Sequence, residues 1–197
     1  MPPVEVNRTA TARGPLRPHP ANPRYFTDGT GRAVYLTGSH TWNNILDMGE
    51  TDPPPRFDFD KFLSWLEGYR HNFIRLWTWN LTGWDTRGNR ESKRHYVAPL
   101  PWARTGPDRA LDGKPKFDLT RYDKDYFRRL EARVAAAGRR GFYVSVMLFE
   151  GWGLQFSPGG WEAHPFHPAN NVNGVDGKGL AVYTLADPQV TALQEAY

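Results

Sequence analysis

Two segments of this chain repeat one arrangement, in which an amphipathic helix is followed within a few residues by an apolar run of strand length. In the first, Phe59, Phe62, Leu63 and Leu66 fall at the i, i+3, i+4, i+7 positions of one helical stripe, Asp58 stands at the capping position, and FIRLWT follows almost at once. In the second, a helix predicted over residues 122–137 sets Phe127, Leu130, Val134 and Ala137 on one side, Gly138 or Gly141 can end it, and FYVSVMLF follows. So apolar a run suits a strand covered on both faces.

Upstream, RYFT, DGTG and RAVYLTG read as two short strands joined by a turn whose glycines supply positive φ. Downstream, Asp187-Pro188 is an N-cap with proline in the first helical position. Long connections rich in Gly, Pro and polar residues follow the strands, over residues 80–118 and 150–186, whereas the returns after the helices are short. In a (β/α)8 barrel the loops after the strands build the active site and the loops after the helices are structural. A doubly wound sheet shares the alternation, but its first turn carries glycines spaced to hold a phosphate, and GSHTWN does not. The expected fold is therefore the N-terminal part of a (β/α)8 TIM barrel, about three β/α units preceded by a β-hairpin. A flexible Pro-rich arm occupies residues 1–15, and the barrel portion residues 16–197. A full barrel takes about 250 residues, so three strands imply a fragment whose coding sequence continues.

Composition narrows the function. The chain has no cysteine, which removes disulfides, thiolate metal sites and a cysteine nucleophile together. A net charge of +4 invites a nucleic-acid reading, but the basic residues are scattered, and Arg128, Arg129, Arg139 and Arg140 suit the solvated face of one helix. No nucleic acid is expected as a partner, and no membrane, because no apolar run is long enough to span a bilayer. No signal peptide is visible, so the localisation stays open between the cytoplasm and export by a missing leader. Eight tryptophans exceed what core packing asks for. Trp84, Trp102, Trp152 and Trp161 sit in polar, loop-like sequence, where they serve either as ligand platforms or as small aromatic cores of the loops. The histidines of HPFHPANNVNG, His164 and His167, have a spacing a metal accepts, yet no carboxylate or cysteine completes a site, and turn formation by Asn and Pro explains the segment better. Asn7 and Asn80 each open an Asn-x-Thr glycosylation sequon.

NPRYFTDGTGRAVYLTGSHTWNN, the FIRLW strand, the FDLTRYDKDYFRRL helix and VMLFEGWG together resemble, in that order, the opening part of cellulase-like glycoside hydrolases, members of the large clan of retaining (β/α)8 enzymes. The resemblance implies hydrolysis of O-glycosyl bonds in a plant or microbial polysaccharide or oligosaccharide, with no metal and no organic cofactor. It also suggests a role for the arginine inside FIRLWTWN. Alternation puts Phe73, Arg75, Trp77 and Trp79 on one side of that strand and Ile74, Leu76 and Thr78 on the other. In the clan an arginine at the end of the second strand hydrogen-bonds the catalytic nucleophile, and Arg75 looks like that residue; an ordinary structural salt bridge is the other reading.

The clan places its acid/base glutamate after the fourth strand and its nucleophile after the seventh, so neither is expected within these residues, and the chain alone is expected to be inactive. Retaining hydrolysis needs two carboxyl groups about 5–5.5 Å apart. Glu150 and Asp47 imitate such a pair, but Glu150 reads as a sugar-binding or loop-organising carboxyl, with a solvated or a catalytic carboxylate as alternatives. His40, Trp42, Asn43 and Asn44 offer donors, acceptors and a flat ring just past the first strand, although His40 equally suits a core position. Trp77, Trp79, Asn80 and Trp152 complete the expected sugar subsites. The expected partners are carbohydrate and either the remainder of the barrel or further copies of the chain, since unpaired strand edges associate. The alternative function is a non-catalytic carbohydrate-binding protein.

Overall fold

The computed structural model describes residues 11–42, 44–85 and 93–197. In chain order they form β1 (Arg17–His19), β2 (Asn22–Thr27), β3 (Asp47–Gly49), α1 (Phe59–Gly68), β4 (Phe73–Leu76), β5 (Gly83–Asp85), β6 (Arg94–Ala98), β7 (Trp102–Arg109), β8 (Pro115–Tyr122), α2 (Lys124–Arg139), β9 (Tyr143–Val146), α3 (Trp152–Phe156), a 3-10 turn at Gly179–Tyr183 and α4 (Pro188–Glu195). Two compact units divide the chain. The first comprises the described part of Met1–Trp42 with Asp58–Leu76 and Leu130–Val146; the second comprises Asn43–Phe57, Trp77–Arg129 and Met147–Tyr197. Residues 1–10 of the expected arm, with the Asn7 sequon, lie outside the described residues.

In the first unit, Asp58 caps α1 by accepting the Lys61 N–H at 2.9 Å, and Phe59, Leu63 and Leu66 are buried as the stripe requires. The latter part of α2 adds Ala137, but its polar side also turns inward. Arg133 is buried with its guanidinium 5.1 Å from the centre of the Phe59 ring, while Val134, expected on the apolar stripe, is exposed. Arg140 donates from Nε to Glu67 of α1 at 2.8 Å and from Nη2 to the same carboxylate and to Ser64. β4 and β9 pair in parallel with Ile74 opposite Val144 and Arg75 opposite Ser145. Gly29 and Gly31 take positive φ in the predicted turn. β2 pairs antiparallel not with RAVYLTG but with β1, and the expected partner strand keeps only a bridge from Phe26 to Val34. Asn72 holds that segment instead: its Oδ1 accepts the Thr37 N–H at 2.8 Å and its Nδ2 donates to the Tyr35 carbonyl at 2.9 Å.

The second unit is built from antiparallel pairs. β3, β6 and β5 form a sheet in that order, and β7 and β8 form a hairpin. Its core holds Ile45, Leu46, Trp79, Leu81, Trp102, Phe117, Leu119 and Phe166. Arg104 of β7 lies 3.9 Å over the Phe117 ring of β8 and pairs with Asp112 near the hairpin turn. Asp123 caps α2 through the N–H groups of Asp125 and Tyr126, and Asp187 caps α4 through those of Gln189 and Val190. The Asn-rich segment closes on itself. Asn171, 2% exposed, accepts the Val175 N–H and donates to the carbonyls of Pro165, His167 and Val175.

These elements correct the fold read from the sequence. The architecture is a set of small, mostly antiparallel sheets with few helices, and no barrel closes among the described residues. Four strands, β5 to β8, arise in the stretch read as a single long connection. Gly106, Pro107 and Pro115 interrupt the alternation there, yet Trp102, Phe117 and Leu119 still point inward and are buried. β9 is shorter than the apolar run that suggested it and is not covered on both faces, since Val146 and Leu148 are 37% and 51% exposed.

Replacing Asn171 by Ala strands several buried backbone groups at once, so Asn171→Ala is expected to cost about 3 kcal/mol in urea unfolding. Asn22→Ala, at an exposed site where only the Arg24 N–H is lost, is expected to stay within about 0.5 kcal/mol of the parent.

Candidate functional site around Glu150

The chain leaves β9 through Met147, Leu148 and Phe149 and reaches Glu150 just before α3. Glu150 is 4% exposed. Its backbone N–H is taken by Asn80 Oδ1 at 3.1 Å, and its Oε2 accepts the Gly153 N–H at 3.1 Å. Gly153 is glycine because space demands it: a Cβ would lie 2.6 Å from the Leu81 side chain and 2.9 Å from Glu150 Oε1. Oε1 has no hydrogen-bond partner among the described residues. Burial pushes the Glu150 carboxyl up from its ordinary 4.5 to about 7, against the opposing pull of the Gly153 and Trp152 backbone amides. The residue is thus divided between acid and carboxylate near neutrality, with one oxygen uncommitted.

A cavity of about 670 Å³ opens beside it, lined among others by Gln155, Tyr183, Thr191, Gln194 and Glu195. Ligand cavities commonly run to roughly 300–1,000 Å³. Thr191 Oγ1 is a second buried polar atom without a partner among the described residues. Tyr183 meets His164, whose Nε2 lies 3.2 Å from the phenol oxygen.

Two residues past Glu150, Trp152 joins an aromatic cluster. Its ring centre is 5.9 Å from those of Trp79 and Trp84, Trp79 and Trp84 are 5.3 Å apart, and His95 stacks on Trp84 at 5.1 Å and 27°. Trp79 is fully buried, Trp152 is 36% exposed and Phe156, packed 5.5 Å from it, is 60% exposed. Trp102 instead fills a loop core against Phe166 and Tyr197. Trp161 stacks on His164.

The residues singled out in the sequence separate as follows. Trp77, Trp79, Asn80, Glu150, Trp152 and Asn44 belong to the second unit, where Asn44 is buried and accepts the Trp77 N–H at 2.8 Å. Alternation stops at the end of β4, so Thr78, Trp79 and Asn80 are buried in succession. His40, Trp42 and Arg75 belong to the first unit and are exposed; Arg75 and His40 line a small cavity of about 140 Å³ with Gly38 and Ser39. The burial that would draw a carboxylate to Arg75 is not found. Asn43 lies outside the described residues. His164 and His167 each accept a nearby backbone N–H at Nδ1, from Phe166 and Ala169, which is turn chemistry.

Residues 87–185 match the model of a domain of unknown function, DUF6298. The chain belongs to that family. No curated protein and no solved structure matches it. The DUF6298 match takes in His95, Glu150, Trp152, His164 and Tyr183, while Trp79, Trp84 and α4 fall outside it. Sequence reasoning missed Tyr183 and Thr191. No local signal marks them, because only the folded path of residues 151–191 brings them to the Glu150 cavity.

Because Glu150 holds its proton more tightly folded than unfolded, its contribution favours the fold fully below about pH 4.5 and is lost as the pH rises to about 7. The whole change is on the order of 3 kcal/mol. Glu150→Gln is expected to flatten the stability profile between those pH values and to be more stable than the parent at pH 8, measured by denaturant unfolding at matched ionic strength.

Proposed function

We propose that this chain binds carbohydrate and serves as the sugar-holding part of a glycoside hydrolase. The observation that carries the reading is Glu150: a buried carboxyl, poised between its two protonation states, with one free oxygen, two residues from a half-exposed tryptophan that is braced by two others. Sugar rings present hydroxyls on their edges and apolar C–H faces, and a site for them combines a rigid aromatic surface with a few placed polar groups. Trp152 supplies the surface, and the cavity with Glu150 and Gln155 supplies the polar groups. The likeness of NPRYFTDGTGRAVYLTGSHTWNN, FIRLW, FDLTRYDKDYFRRL and VMLFEGWG, taken together and in that order, to cellulase-like glycoside hydrolases supports the same assignment. Glu150 is given a binding role, since double displacement takes a second carboxyl about 5–5.5 Å away on the opposite side of the scissile bond.

Titration calorimetry against a panel of plant and microbial oligosaccharides tests the proposal. At least one is expected to bind, and Trp152→Ala to weaken it about ten-fold or more. No glycoside in the panel is expected to be turned over. Turnover abolished by Glu150→Gln would make Glu150 a catalytic group, and the absence of binding to any sugar would refute the function.

A further inference from the structure

We propose that the cavity beside Glu150 takes an uncharged, hydroxyl-bearing sugar unit that accepts a hydrogen bond from Tyr183, with His164 as the positioning residue behind that phenol. This rests on the carbohydrate reading and names the ligand class and a recognition device within it.

The Phe166 N–H donates to His164 Nδ1 at 3.1 Å, and an amide N–H can only donate, so Nδ1 carries the lone pair. His164 is 1% exposed, and burial together with neighbouring His167 pulls its pKa down to about 3, so the ring is neutral. One tautomer remains, with the proton on Nε2. That N–H donates to the Tyr183 oxygen at 3.2 Å. The phenol therefore acts as acceptor toward His164, and its own proton is left to be given elsewhere. Tyr183 makes no other hydrogen bond among the described residues, and it lines the cavity. The ring behind it is fixed in turn: Trp161 stacks on His164 at 5.6 Å and 28°, and Phe166 packs 5.6 Å away.

Tyr183 thus offers a donor into a cavity that Glu150, Gln155 and Thr191 also line. A sugar hydroxyl that accepts from Tyr183 fits that lining, with the Gln155 and Gln194 carboxamides on the same cavity to meet its neighbours. The charge of the cavity sets the class. Its lining includes Glu150 and Glu195 and neither lysine nor arginine. A uronic acid would bring a carboxylate beside a buried carboxyl with no cation to meet it, an uncompensated burial that selects against that ligand.

The test pairs oligosaccharides that differ only at C6, a neutral hexose chain and the same chain oxidised to the uronate, on the full chain and on Tyr183→Phe. The hexose chain is expected to bind at least ten-fold more tightly than the uronate, and Tyr183→Phe to lose about ten-fold for the hexose, the worth of one hydrogen bond. Nitrogen-15 NMR of the His164 ring, which needs no ligand, is expected to show Nε2 protonated and Nδ1 bare. His164→Gln is expected to weaken hexose binding in the parent but not in the Tyr183→Phe background, as befits a residue that acts through the phenol. Equal affinity for the two chains, unchanged affinity in Tyr183→Phe, or an Nδ1-protonated ring overturns this inference and leaves carbohydrate binding standing. Failure of every sugar to bind overturns the carbohydrate reading and the ligand class with it, whatever the ring shows.

Discussion

Asparagine side chains do in this chain much of what strand ladders do elsewhere. A carboxamide carries a donor and an acceptor in the geometry of a peptide unit, so it can satisfy backbone groups that a short sheet leaves open. Asn72 ties the Tyr35–Thr37 segment, Asn44 takes the Trp77 N–H, Asn80 takes that of Glu150, Asn170 takes that of Leu111 and Asn173 that of Leu119. Each joins residues far apart in sequence with one or two bonds. Remove them and several irregular segments lose the partner that lets them be buried at all, because an orphaned buried amide costs about 1–3 kcal/mol.

This device explains why the site has its form. Glu150 is not on a regular element, and its main chain is located by the buried amide of Asn80 before its side chain makes any contact. Burial beside Gly153 leaves the carboxyl only the backbone amides of Gly153 and Trp152, too little hydrogen bonding to offset desolvation, so the proton is retained. An aromatic platform next to a carboxyl that is neither firmly charged nor firmly neutral suits ligands made of hydroxyl groups, which accept and donate with equal ease.

Local chemistry made part of this legible in the sequence. Asp58 and Asp187 announce their helices because a cap is a short-range interaction, and the stripe of Phe59, Leu63 and Leu66 reports its own burial. Glu150 and Trp152 could be singled out for their position after an apolar run. The helix-strand alternation suggested more than it could support, since the same pattern arises when a parallel pair, β4 with β9, sits among antiparallel pairs. The β7–β8 hairpin hid behind its prolines and glycine, and Arg133 behind its charge, although its guanidinium rests on an aromatic ring. The pairing of Tyr183 with His164 was illegible for a deeper reason. The pair is made by residues 19 apart in the chain, and the tautomer that gives it direction depends on a loop amide that no spacing rule foretells.

The depth of Asn80 reaches beyond the Glu150 cavity. Asn80-Leu81-Thr82 is a glycosylation sequon, and its asparagine is fully buried with its oxygen already engaged by Glu150. A folded chain offers no oligosaccharide-transferring enzyme access to that nitrogen. In a host that glycosylates polypeptides while they cross into the secretory pathway, a sugar added to the unfolded sequon would keep Asn80 out of the interior. The route by which the protein is made thus decides whether the Asn80–Glu150 bond can form.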